Sequence, residues 1–379
     1  MKKALLILTA LLAAACIVAL PFLCTHSDIL PEVSTAYYEQ KAQKEALTAT
    51  GPEAELMRML TGLSADTKLE PVRTPMAFSR FGLTLAIGAA AAICLLLYLN
   101  WRQPDQRRAS MYTAALAVPM GLIGARLVYC LVNIGYYLNA ISAPEAMLKM
   151  WEGGLSLSGA LAFVVLAGVI AAKITNTSVR NVLDDLIYCL LAFCIFAAIA
   201  CEIIDMGFGP ELRRSLGKFT VTIGETIRLS TTTLRIFAML VLPMAHLYHR
   251  LHLVERGLNA PGLPFALTAF LYGSVMILLE SLREDGHMVW GFVHAEMVFD
   301  LCFALPALLY LAKTKKRLLL SLIATAVLAG AVVALEFALD RSAIGDGLLY
   351  LVYAAVLAGY LALGCVFARK RPFPSSSCG

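Results

Sequence analysis

Ten stretches of about 20 predominantly apolar residues, set apart by short polar or basic connections, limit what this chain can fold into. By hydropathy they fall at roughly 4–24, 77–100, 110–134, 155–174, 182–204, 233–250, 264–282, 290–312, 317–339 and 345–368. A bilayer core offers the backbone no hydrogen-bond partners, so runs of this length fold as helices that satisfy their own N–H and C=O groups. The expected fold class is therefore all-α, a polytopic membrane helical bundle of about ten transmembrane helices. The fourth and sixth stretches are the shortest, and a tilted or partly re-entrant path suits them. With 60% hydrophobic and only 15% charged residues, the chain has too little polar surface for a soluble domain.

Orientation follows from the basic connections. Lys2 and Lys3, Arg102 with Arg107 and Arg108, Lys173 and Arg180, Lys313 with Lys315 to Arg317, and Arg369 to Arg371 all fall on one face. The positive-inside rule makes that face, and both termini, cytoplasmic. A net charge of only +5, held in such clusters, marks topology rather than a nucleic-acid surface. Residues 4–24 suit either a signal peptide or an uncleaved anchor. Ala13-Ala14-Ala15-Cys16 has a faint likeness to a lipoprotein cleavage box, but the run continues to Leu23, which favours an anchor. On the outer face, 25–76 has helical character suited to the membrane surface. FTVTIGETIRLS, within 205–232, alternates as a strand would.

The ten cysteines form no CxxC pair and no Cys/His metal spacing. Cys94, Cys130, Cys189, Cys194, Cys302 and Cys365 lie within apolar runs as small hydrophobes. No metal and no cofactor is expected. Ionisable groups at membrane depth are expensive and become functional candidates. Arg126 lies well inside the third stretch and needs a carboxylate, carbonyl or phosphate partner. Glu202 and Asp205 close the fifth stretch. Glu280 and Arg283, three residues apart, share a helical face at the end of the seventh. His294, Glu296 and Asp300 descend the eighth. Interfacial solvation accounts for Asp184 and Asp185, and snorkelling for His246 and His249 beside Arg250.

Several segments, in order, carry a resemblance: SRFGLTLAIG, GLIGARLVYCLVNIGYYL, WEGGLSLSGAL, AIACEIIDMGFG, and LYGSVMILLESLRED followed by GFVHAEM. Over about 77–316 the chain resembles the bacterial prolipoprotein diacylglyceryl transferases, seven-span membrane enzymes. The implied organisation is an anchor helix and extracytoplasmic segment in 1–76, a seven-helix core in 77–316, and two additional helices with a cytoplasmic tail in 317–379. The implied reaction moves diacylglyceryl from phosphatidylglycerol to a lipobox cysteine thiol and releases glycerol phosphate. It requires a base to make the thiolate and donors to hold the phosphate. The implied setting is a bacterial plasma membrane, with the site facing the outer leaflet. The implied partners are phosphatidylglycerol and a prolipoprotein signal peptide, with no nucleic acid.

The resemblance also marks departures. Ser158 stands where the motif has a histidine, Ala198 and Cys201 where it has an arginine and an asparagine, Phe81 for a tyrosine, and Met276 for an arginine. Retained positions give candidate substrate-binding residues: Arg126, Glu280, Arg283, Tyr272, Gly154 and Gly159. Candidate substitute bases are His294, Glu202 and Glu296, with Ser158 at the histidine position. Two alternatives stay open beside a divergent transferase. One is an inactive relative that binds phospholipid or lipoprotein precursors; the other is a small-solute transporter on an unrelated fold.

Overall fold

A computed structural model describes residues 2–24, 78–135, 137–138, 144–204, 206–223, 226–255, 261–284, 288–290, 293–312, 314–341 and 346–369. The segment 25–76, expected to have helical character, lies outside the described residues, as do Asp205 and the side chains of His246, His249 and Arg250.

Among the described residues are ten α-helices: α1 (Lys2–Leu23), α2 (Arg80–Leu99), α3 (Pro104–Val132), α4 (Leu157–Thr175), α5 (Val179–Ile203), α6 (Thr231–Glu255), α7 (Leu263–Ser281), α8 (Ala295–Leu311), α9 (Lys315–Arg341) and α10 (Asp346–Arg369). Each coincides with one of the ten apolar stretches. Eight are long and apolar enough to cross a membrane. Of the other two, α8 has 17 residues, and α6 carries an apolar stretch over Thr231–Met244. The protein is a multi-pass helical membrane protein.

Local signals set the helix ends. Ser79 and Ser156, with extended backbones, cap α2 and α4 by accepting from the N–H groups of Gly82 and Gly159. Asp184 caps α7 from another helix: its Oδ2 and Oδ1 accept from the backbone N–H groups of Gly262 at 2.6 Å and Phe265 at 2.9 Å. Asp184 is thus buried and paired rather than solvated. A carboxylate at a helix N-terminus also complements the dipole.

Burial orders the bundle. The apolar stretch of α7 is 78% buried, against 17% for that of α1, so α7 is central and α1 peripheral. One apolar cluster joins α7 to α4, α5 and α6 through Tyr272 and Met276 with Leu161, Leu191 and Met239. A second lies on the other side of α7, where Phe270 meets Leu328 of α9 and Tyr353 and Tyr360 of α10. Gly364 lets α10 close on the Phe270 ring. The strongest lateral pairings are α3 with α4, α7 with α8, and α2 with α5.

The alternating stretch in 205–232 folds as expected of it. β2 (Thr220–Ile223) and β3 (Thr226–Ser230) pair antiparallel with Val221 opposite Arg228, and β1 (Phe208–Glu211) pairs with the other edge of β3. Between α7 and α8 a short ladder joins β4 (Val289–Trp290) to β5 (Val293–His294). The larger sheet is tied to the end of α7: Glu284 N–H donates to Phe208 O at 3.0 Å, and Arg228 pairs with Glu284 at 2.8 Å.

Candidate functional site

The first turns of α4 and α8 meet across a buried carboxylate. Ser156 Oγ donates to Glu296 Oε1 at 2.9 Å, and Ser158 Oγ donates to Glu296 Oε2. Ser156 therefore caps its own helix and fixes α8 with the same hydroxyl. Asp300, one turn further along α8, is also buried. Gly273 lets α7 approach α8 at the Asp300 carbonyl, where any Cβ would collide.

A second charged node lies at the end of α7. Glu280 Oε2 accepts from Arg283 Nη1 at 3.1 Å, and Glu280 Oε1 accepts from Arg235 Nη2 of α6. Glu280 and Arg283 are 4% and 6% exposed, so this triad has little competition from water. Arg235 Nε is buried with no partner among the described residues. Buried donors of this kind are costly unless a ligand or water completes them.

Both groups open on one cavity of about 200 Å3. Its polar boundary is Ser156, Ser158, Arg235, Glu280, Arg283, Glu296 and Asp300, with the Tyr272 hydroxyl. Most of the remaining lining is aliphatic and aromatic, from α2, α3, α4, α5 and Leu20 of α1. A largely apolar chamber whose charged residues all come from α6, α8 and the end of α7 has the chemistry of an amphiphile site: an apolar part suited to acyl chains and guanidinium groups suited to an anionic headgroup.

The sequence candidates divide clearly. Ser158, Tyr272, Glu280, Arg283 and Glu296 are brought together on this lining. Arg126 is not. Its five N–H donors all reach backbone carbonyls, those of Met147 at 2.8 Å, Ala146 at 2.8 Å, Lys149 and Gly154 at 3.0 Å, and Gly153. A guanidinium carries five such donors, so none is left for a headgroup. Arg126 clamps the 144–154 segment onto α3. Gly154, at φ +82°, lies against the Tyr129 ring, and Gly159 lies against the Gly124 carbonyl at the α3–α4 crossing; both are packing positions off the cavity. His294 is buried in the β4–β5 ladder opposite Val289 and does not line the cavity. Glu202 is exposed near the end of α5, also off the lining.

Arg235 is the site residue that sequence reading missed. An arginine within the apolar run LRIFAMLVL was the available signal. The departures from the resembled motif also gather here: Phe81, Ser158, Ala198, Cys201 and Met276 all lie on the lining. Among the described residues, no group of three or more His, Cys, Asp or Glu is placed to hold a metal ion.

Fold and site together define a polytopic membrane protein with an intramembrane, amphiphile-shaped cavity. The model of the family described as prolipoprotein diacylglyceryl transferase matches residues 71–313, well over half of the chain. The chain belongs to that family. Among similar proteins, the phosphatidylglycerol–prolipoprotein diacylglyceryl transferase of Bacillus licheniformis is 27% identical over 110 residues, covering 29% of this chain and 40% of its own. That of Listeria innocua is 30% identical over 100 residues, 26% of this chain and 35% of its own. That of Thermotoga maritima is 40% identical over 58 residues, 15% and 18% of the two chains. The matched parts span less than half the length of these relatives. Family membership replaces the alternative of a transporter on an unrelated fold.

Proposed function

We propose that this protein is a divergent diacylglyceryl transferase that takes phosphatidylglycerol into the α2–α8 cavity and passes its diacylglyceryl group to a lipobox cysteine. The observation that carries this reading is the convergence of the Glu296–Ser158–Ser156 group and the Arg235–Glu280–Arg283 group on one apolar chamber. Residues 77–316 form its functional core under this reading.

Glu296 reaches the position that carries a histidine in the resembled motif, through its contact with Ser158. It is the base. The cysteine thiol gives its proton to Glu296, and the thiolate attacks the glyceryl carbon bonded to the phosphate oxygen. A C–S bond forms, the C–O bond breaks, and its electron pair leaves with glycerol phosphate. The proton passes from Glu296 to the departing phosphate or to water. Arg283 and Arg235 hold the phosphate oxygens, and Glu280 orients both guanidinium groups. The charged end faces the outer leaflet, with the basic connections cytoplasmic, in a bacterial plasma membrane.

A second reading, a lipid-binding relative without transfer activity, is favoured by one observation. Phe81, Ala198, Cys201 and Met276 make the lining apolar where the resemblance implies polar or cationic groups. Loss of a single positioned donor commonly lowers rate by about a hundredfold to a thousandfold. The purified chain is incubated with phosphatidylglycerol and a synthetic lipobox peptide, and the diacylglyceryl thioether is sought by mass. Transfer predicts the product, strongly reduced in Glu296→Gln. Absence of product beside an active relative, with lipid still bound, establishes the second reading instead.

A further inference from the structure

α1 is positioned by features that family membership does not explain. It runs along both α2 and α3, which touch each other far less than either touches α1. α2 and α3 both line the cavity, and α1 packs along the seam between them. Leu20 of α1 passes through to the lining itself. There it packs with Phe81, Leu85 and Cys24, while Leu122 of α3 closes the cluster. The fit is close. Gly82 has no Cβ because one would meet the Leu20 carbonyl and the Pro21 Cα. Ser79 N–H also donates to Pro21 O at 2.8 Å.

The chemistry of α1 identifies what the seam accepts. Two lysines are followed by a run that is apolar apart from Thr9, with small residues Ala13 to Ala15 and cysteines at positions 16 and 24. A basic end and an apolar helix are features that this uncleaved anchor shares with a secretory signal peptide, and the small residues precede Cys16. Cys24, at the end of α1, is 1% exposed and buried among residues of the cavity wall. A lipoprotein precursor would have to present its cysteine in this way, from a helix in the membrane and against the chamber that holds the lipid.

We infer that the α2–α3 seam is the docking surface for a lipoprotein signal-peptide helix, and that α1, a helix of the same chemistry within this chain, occupies it. The inference rests on the transferase reading for the identity of the peptide. A tethered helix has a high effective concentration at its own seam, so it excludes a free peptide of similar affinity. Incoming peptide docks only when α1 moves aside.

The test uses the full chain in phosphatidylglycerol nanodiscs, with Leu122 replaced by a photo-crosslinking benzoylphenylalanine. The probe is a synthetic peptide with two lysines, an apolar stretch and a lipobox cysteine. Two variants displace α1. Leu20→Arg puts a charge where α1 meets the apolar lining; Gly82→Val, which changes α2 instead, puts a side chain against Leu20 and Pro21. With α1 unaltered, irradiation should join position 122 to α1; in either variant, peptide adduct should rise by about tenfold or more because the tethered competitor is gone. Equal peptide labelling in all three proteins overturns the inference, as does labelling of lipid alone in the variants. The thioether assay keeps the two readings apart. Product without peptide at the seam removes the docking surface only, and peptide at the seam without product removes the transfer reading only.

Discussion

Phe81, Ser158, Ala198, Cys201 and Met276 carry the chemical individuality of this site, because all five face the same chamber. Ser158 is the most telling. It touches Glu296, so a histidine there would stand between that carboxylate and the lipid. Ser158→His should raise thioether formation by about a hundredfold, the usual scale of a positioned acid–base group; an unchanged rate would show that position 158 does not face the reacting atoms. Glu280→Ala leaves Arg235 and Arg283 buried without their shared carboxylate. Thermal unfolding in detergent should register a loss of about 3–5 kcal/mol, with Glu280→Gln intermediate. Sequence spacing made Glu280 and Arg283 legible, since positions three apart share a helical face. Arg126 was not legible: an arginine at membrane depth reads the same whether it holds a headgroup or a ring of carbonyls. Arg235 was obscured for a related reason, lying just beyond the β2 and β3 strands that follow Arg213, Arg214 and Lys218.

At the scale of elements, glycine decides which helices come close enough to place the site. Gly159 and Gly124 set the α3–α4 crossing, and α4 in turn carries Ser156 and Ser158. Gly159→Val would drive a side chain into the Gly124 carbonyl and Val128. The expected loss is about 1–3 kcal/mol, seen as a lowered unfolding midpoint, with diacylglyceryl transfer to the peptide falling as Ser158 shifts. The 144–154 segment depends on Arg126 instead. Arg126→Lys keeps the charge but not the planar fork or the five donors, so limited proteolysis within 144–154 should accelerate nearly as much as in Arg126→Ala. Full protection in the lysine variant would contradict the clamp. Periodicity disclosed both the helices and the β2–β3 hairpin, because alternation and apolar length act locally. The Asp184 cap on α7 is a contact between residues 78 positions apart, which no local pattern records.

Among the described residues of the whole molecule, the family match covers α2 to α8, and α1, α9 and α10 lie outside it. α1 closes the α2–α3 seam, while α9 and α10 pack against α7 and α8 away from the cavity. Tyr350 of α10 also donates to the Ser281 carbonyl, beside Glu280. The proposed orientation predicts that a membrane-impermeant maleimide added outside intact cells labels a cysteine at Lys218 and spares one at Arg107; the reverse pattern would invert the bundle. Helix positions among the described residues, and the family, were legible because both rest on long stretches of sequence. Which helix wall meets which was not, and that is what creates the chamber. The most direct measurement is a cryo-EM map of the chain in phosphatidylglycerol nanodiscs. The account predicts lipid density in the chamber, with phosphate beside Arg235 and Arg283 and acyl chains along α2 and α5. A headgroup at the opposite end, or a chamber without lipid, would contradict it.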